Sequence, residues 1–138
     1  MPDFFAAAHR HLADGDYLNL AARNPNAVQL WAYAAECILK AIAYKQGHFT
    51  LGADGKPLAG FGLHINQISK SGQTLLSLYN AAQTGPDALL GPSTAFAGWT
   101  INARYEDGAQ LEPMGVYLTD IGNFRSLLTA AKSKGLLL

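Results

Sequence analysis

The sequence predicts an all-α fold: an up-and-down bundle of four to five helices forming one domain over residues 1–138. Three observations carry this. Apolar residues recur at three- and four-residue spacing in five separate stretches, which is the pattern of one buried helical face. Pro, Asn and Gly stand at the ends of those stretches, where helices start and stop. Alternating apolar and polar runs, the mark of half-buried strands, are nearly absent.

The first helix is expected over about residues 3–13, with Phe5, Ala8 and Leu12 on one face and Gly15 as a stop signal. The following DYLNLAAR is either an extension of it or a further short helix. The clearest helix is NPNAVQLWAYAAECILKAIAYKQG, opened by Asn24-Pro25 and closed by Gly47. Val28, Trp31, Ala35, Ile38 and Ile42 form its core face, and Cys37, Leu39 and Ala41 broaden it. A helix apolar on most of its circumference belongs at the centre of a bundle. Tyr33, Glu36 and Lys40 share the remaining face, and Glu36 with Lys40 at i,i+4 contributes roughly 0.2–0.5 kcal/mol when exposed. Residues 48–62 break the pattern. Asp54-Gly55 between FTL and PLA marks a short turn-rich or hairpin insert.

A third helix is expected over about 63–83, with Ile65, Ile68, Leu75, Tyr79 and Ala82 on one face. Gly72 costs it about 1 kcal/mol relative to Ala, so a close helix approach or a break near 70–72 would account for it. TGPDALLGPS follows as a linker. A fourth helix is expected over about 93–105, with Phe96, Trp99 and Ala103 inward. A fifth runs over about 113–133 from Pro113, with Tyr117, Leu118, Ile121, Phe124, Leu128 and Ala131 inward. Arg125, Lys132 and Lys134 lie toward its end, where cations complement the helix dipole.

Charged residues make up only 14% of the chain, against roughly 25% in typical soluble domains. Part of the surface is therefore expected to be covered, in a homodimer or by another partner. Ten basic and ten acidic residues give zero formal charge, which argues against strong non-specific nucleic-acid binding. The one cysteine, Cys37, excludes an internal disulfide and a Cys-rich zinc site, and its neighbours in AAECILKAI predict a buried small apolar residue. The N-terminal MPDFFAAAHRH lacks the pattern of a secretory signal. No apolar run reaches the ~18 residues of a membrane span. A cytoplasmic protein away from membranes is expected.

Few residues converge on recognisable chemistry. His9 and His11 are two apart on a helix, which is poor spacing for a metal clamp; both are expected to face solvent, with an anion-binding patch at His9-Arg10-His11 as the alternative. His48 and His64 flank the insert, but no acidic or sulfur ligand is spaced to complete a metal site. The glycines of the insert lack the Gly-Lys-Ser/Thr of a phosphate loop. Ser69, Ser71, Thr74 and Ser77 have no His-plus-acid partner to activate them. Trp31, Trp99, Phe96 and Tyr79 fall on core stripes. Neither a metal nor a cofactor is expected.

YAAECILKAIAYKQG, then a turn-rich insert, then HINQI, then GWTINARYED occur in this order. Together they resemble the HEPN domain family (higher eukaryote and prokaryote nucleotide-binding), over roughly residues 4–133. The resemblance implies a four- to five-helix bundle that commonly dimerises. Many such domains are RNases of toxin–antitoxin and other defence systems. Others are catalytically silent and accompany a nucleotidyltransferase, bind nucleotide or serve as structural modules.

The RNase members carry an Arg followed, after a short spacer, by a His that converges with it on a phosphodiester. Arg10, Arg23, Arg104 and Arg125 have no His after such a spacer, and Arg104 is followed by YEDGAQLEPM. Carboxylates there would repel a phosphate. The expectation is therefore a non-catalytic binding or interaction module for a nucleotide or a partner protein. Arg104, Lys40, His64 and Tyr105 are its candidate ligand-binding residues. Arg104 has a second reading as a structural partner of Glu36, since a buried Arg needs a carboxylate. The alternatives are an RNA-cleaving enzyme with rearranged catalytic residues and a purely structural dimeric subunit.

Overall fold

The computed structural model describes residues 2–96, 99–102 and 111–136. Among these residues the chain forms four helices: α1 (Phe4–Leu20), α2 (Asn24–Lys45), α3 (Leu75–Ala82) and α4 (Met114–Ser133). The all-α class holds.

Helix α1 starts where Asp3 Oδ1 accepts the Ala6 N–H at 2.9 Å, an N-cap. It does not stop at Gly15. It continues to Leu20 and closes with Ala22 in the left-handed region (φ 58) and Arg23 N–H bonded to Leu18 C=O at 2.9 Å. Gly15 serves packing instead. A Cβ there would lie 2.4 Å from Trp31 Cδ1, so the missing side chain is what lets the indole of α2 approach the α1 backbone. Asp16 Oδ1, one residue on, accepts from Trp31 Nε1 at 3.1 Å and also from the Arg125 guanidinium. One carboxylate thus ties α1, α2 and α4 together.

Helix α2 runs through the centre. Ala27, Val28, Trp31, Ala35, Ile38, Leu39 and Ile42 are all buried, and α1 packs along it more extensively than any other helix. It ends at Gly47 (φ 82), with His48 N–H bonded to Ala43 C=O at 2.9 Å, the glycine C-cap arrangement. Beyond it, Leu51 and Pro57 form an antiparallel bridge around a turn with Gly55 at φ 78.

The expected third helix shortens to α3. Residues 63–73 are irregular: Asn66 (φ 64) and Gly72 (φ 81) are left-handed, and Ile68 is exposed rather than inward. Gln67 Oε1 accepts the His64 N–H and Ser69 Oγ accepts the Gln73 N–H, local side-chain bonds that compete with a helix. Thr74 and Ser77 then cap α3 reciprocally, each side chain accepting the other's backbone N–H. The serines and threonine singled out in the sequence thus have local capping and turn roles.

The expected fourth helix is not formed in its described part. Phe96 is left-handed (φ 53). Its N–H donates to Asp120 Oδ2 of α4 at 2.7 Å, and its C=O accepts from Asn66 Nδ2 at 2.6 Å. Asn66 also donates to Trp99 C=O at 3.0 Å. The Phe96 C=O also closes a turn with the Trp99 N–H at 2.9 Å, so side chains from distant segments pin a turn where the helix was expected. The aromatic positions remain core: Trp31, Trp99, Tyr79 and Phe96 are each at most 2% exposed. Helix α4 follows Pro113 as expected and buries Tyr117, Ile121, Phe124, Leu128 and Ala131, whereas Leu118 is 46% exposed.

Candidate functional site

The polar face of α2 carries the site. Glu36 and Lys40 are not solvent-facing; they are 9% and 8% exposed. Lys40 Nζ donates to Glu36 Oε1 at 2.8 Å. The second carboxylate oxygen, Oε2, lies 3.2 Å from His64 Nδ1. Because a carboxylate only accepts, this contact puts a proton on Nδ1 and leaves Nε2 as the free end of the imidazole. The His64 side chain is 47% exposed.

Local structure fixes His64. Its backbone N–H donates to Gln67 Oε1 at 2.9 Å, and Gln67 N–H returns a bond to its C=O at 3.0 Å. Ile65 next to it is fully buried, and Asn66 anchors the same turn to Phe96 and Trp99. The left-handed turn at Asn66 therefore both interrupts the expected helix and holds the imidazole over α2.

An aromatic row flanks the carboxylate. Tyr33, one turn before Glu36, meets His11 of α1 edge-on at 5.6 Å and Trp99 at 6.3 Å. His11 is half-buried, and its Nδ1 is enclosed with no hydrogen-bond partner among the described residues. Burial, then the charge of Arg10, lowers its pKa, while Asp14 and Glu36 oppose the shift. Burial pushes the Cys37 thiol up to about 11, with Glu36 adding to the effect. The thiol is therefore protonated and poorly nucleophilic near neutral pH, although Cys37 is half-buried rather than fully buried as expected.

The structure thus brings Glu36, Lys40 and His64 together. Arg104 and Tyr105 lie outside the described residues, as does the Glu36–Arg104 pairing. Each Glu36 oxygen already has a partner on α2 or the 63–67 turn. His48 goes elsewhere: it lines a cleft with Lys45, Gln46 and Asp87 near the C-terminal end of α2, about three turns from Glu36. No group of three or more metal-ligating side chains occurs among the described residues.

Sequence reasoning missed two residues. His11 was expected in solvent but faces Tyr33, and nothing in its neighbours signals this. Asp16 was not singled out at all. Its i,i+15 bond to Trp31 and i,i+109 bond to Arg125 have no local signature.

The arrangement can orient one imidazole toward a ligand from a carboxylate whose charge is offset by a lysine. None of the described helices is long and apolar enough to cross a membrane. Set against protein-family models, curated proteins and solved structures, the chain gives no match.

Proposed function

We propose that this chain is a HEPN-like, non-catalytic binding module whose ligand is a nucleotide met by His64, with Lys40 beside it and with Arg104 and Tyr105 as further ligand-binding candidates from the sequence. The observation that carries the reading is the buried Glu36–Lys40 pair with His64 Nδ1 bonded to its free oxygen. The pair is internally neutral, so it costs little to keep beside an anionic ligand, and it holds an imidazole donor-acceptor edge toward solvent. Lys40 offsets the charge of Glu36, so the carboxylate beside His64 orients the ring rather than acting as a second acid–base group. That favours binding over turnover.

The test is a titration of the folded protein with adenine and guanine nucleotides, followed at the His64 ring and repeated on His64→Ala. Saturable binding lost in the variant supports the reading. Binding of a protein such as a nucleotidyltransferase, with no response to any nucleotide, removes the nucleotide and leaves a protein-interaction module.

RNA cleavage is the second reading, and one observation favours it. An imidazole whose Nδ1 sits on a carboxylate and whose Nε2 points outward is arranged as a general base. Cleavage lost in both His64→Ala and Arg104→Ala, with folding retained, would establish it.

We also propose a homodimer. The sparse charge and the exposed Tyr17, Leu20, Val116 and Leu118 support it. Light scattering at micromolar concentration tests it, and a monomer there contradicts it.

A further inference from the structure

A second site, independent of Glu36, lies in the groove between α1 and α4. His9, Leu12, Ala13 and Asp16 form one wall, and Arg125, Leu128, Thr129 and Lys132 form the other. Leu12 and Leu128 make the floor, both nearly buried. The groove holds about 390 Å³, within the range of small-ligand sites.

Its charges are unevenly committed. Asp16, the one carboxylate on the walls, is taken by Arg125 and Trp31. His9 and Lys132 at the other end have no such partner among the groove residues. They are nevertheless held together by one ring. Lys132 Nζ sits 5.3 Å over the Phe5 centroid, and the His9 ring meets Phe5 edge-on at 4.6 Å. A ring face attracts the ammonium, so Phe5 fixes a cation next to an imidazole. Position near the α4 C-terminus accounts for a lysine there, but not for the imidazole placed beside it. A protonated His9 beside Lys132 is unfavourable until an anion lies between them. Burial and the Lys132 charge together lower the pKa of His9, and an anion between the two groups would oppose that shift. The charged groups facing it are Lys132 and Arg125 of α4 and Asp16 of α1.

We propose that this groove binds a phosphomonoester dianion, with the phosphate between His9 and Lys132 and the organic part lying along Leu12, Leu128 and Thr129 toward Arg125. Lys132 supplies a fixed charge and ammonium donors. His9 supplies an N–H and, once protonated, a second charge.

The test follows the His9 and His64 ring resonances of the whole chain during titration with inorganic phosphate and with adenosine monophosphate. Ionic strength is matched with chloride. The expected result is a saturable His9 shift, with the monophosphate ester binding more tightly than phosphate. Lys132→Gln should weaken binding roughly tenfold or more, the fold-change of one lost charge-assisted hydrogen bond, and Lys132→Arg should restore most of it. A linear response equal to that of chloride overturns the site. So does an unchanged affinity in Lys132→Gln. Phosphate binding without tighter binding of the ester overturns the phosphomonoester assignment. A response confined to His64 belongs to the Glu36 site and contradicts this one, so the two fail separately.

Discussion

Replacing Gly15 with Ala should destabilise this protein, although Ala is the better helix former. In an open helix the change would gain about 1 kcal/mol. Here the new Cβ would stand 2.4 Å from Trp31 Cδ1 and 2.6 Å from Nε1, well inside contact distance. Trp31 is 1% exposed, and its indole is held in place by Asp16. Overpacking of a tight core costs about 1–3 kcal/mol. Displacing the indole also breaks the Trp31–Asp16 hydrogen bond, about 1 kcal/mol more, and loosens the carboxylate that holds Arg125 of α4. Net of the helix gain, Gly15→Ala should cost about 1–3 kcal/mol. Urea unfolding followed by tryptophan fluorescence measures this, with Gly122→Ala as a control. Gly122 is also within a helix, but nothing lies within 4 Å of its Cβ position, so that variant should be neutral or stabilised. If Gly15→Ala matches the control, the close α1–α2 approach is not what the glycine provides.

Glu36→Ala strands the Lys40 ammonium, which is 8% exposed, and should cost about 3 kcal/mol, while Glu36→Leu combined with Lys40→Met should recover most of that in a double-mutant cycle. Asn66→Ala forces a left-handed alanine and removes both bonds to the 96–99 segment, for a loss of about 2 kcal/mol; Asn66→Gly keeps the backbone and should lose less, as thermal melts of the two will report. His9 and His11 both have lowered pKa values, so the folded state resists protons that the unfolded chain accepts. Stability from this source is full above the unfolded value of 6.5, falls as pH drops through it, and levels off below the folded values. Urea midpoints at pH 7.5 and 5.5 should therefore diverge less in a His9→Gln, His11→Gln double variant than in the parent.

The helices legible in the sequence are those whose stability is local or one-sided. Asn24-Pro25, the long stripe and Gly47 specified α2, and Pro113 with its apolar positions specified α4. Each signal lies within a few residues of the boundary it sets. Misreadings came where a distant side chain decided. Gly15 looks like a stop until Trp31 of the next helix is placed against it. Phe96 and Trp99 sit at helical spacing and are indeed buried, but Asp120 and Asn66 take the Phe96 backbone groups and turn the chain. Ile68 fits a helical face that Asn66 never allows to form. At the site, Glu36 and Lys40 were visible as an i,i+4 pair, but not their burial, which depends on the packing of the bundle around α2. His64 was named for its place near the start of the expected third helix; its bond to Glu36 comes with the left-handed turn that stands in place of that helix start.

The most direct test of the account is whether His64 is a ligand-facing imidazole seated on Glu36. Long-range proton–nitrogen NMR of the histidine rings, with and without a saturating nucleotide, reads both halves at once. The account predicts a proton on Nδ1 of His64 in the free protein, lost as the preferred tautomer in Glu36→Gln, and a saturable change at Nε2 when nucleotide is added. An Nε2-protonated His64 that is indifferent to Glu36→Gln and to every nucleotide would contradict it.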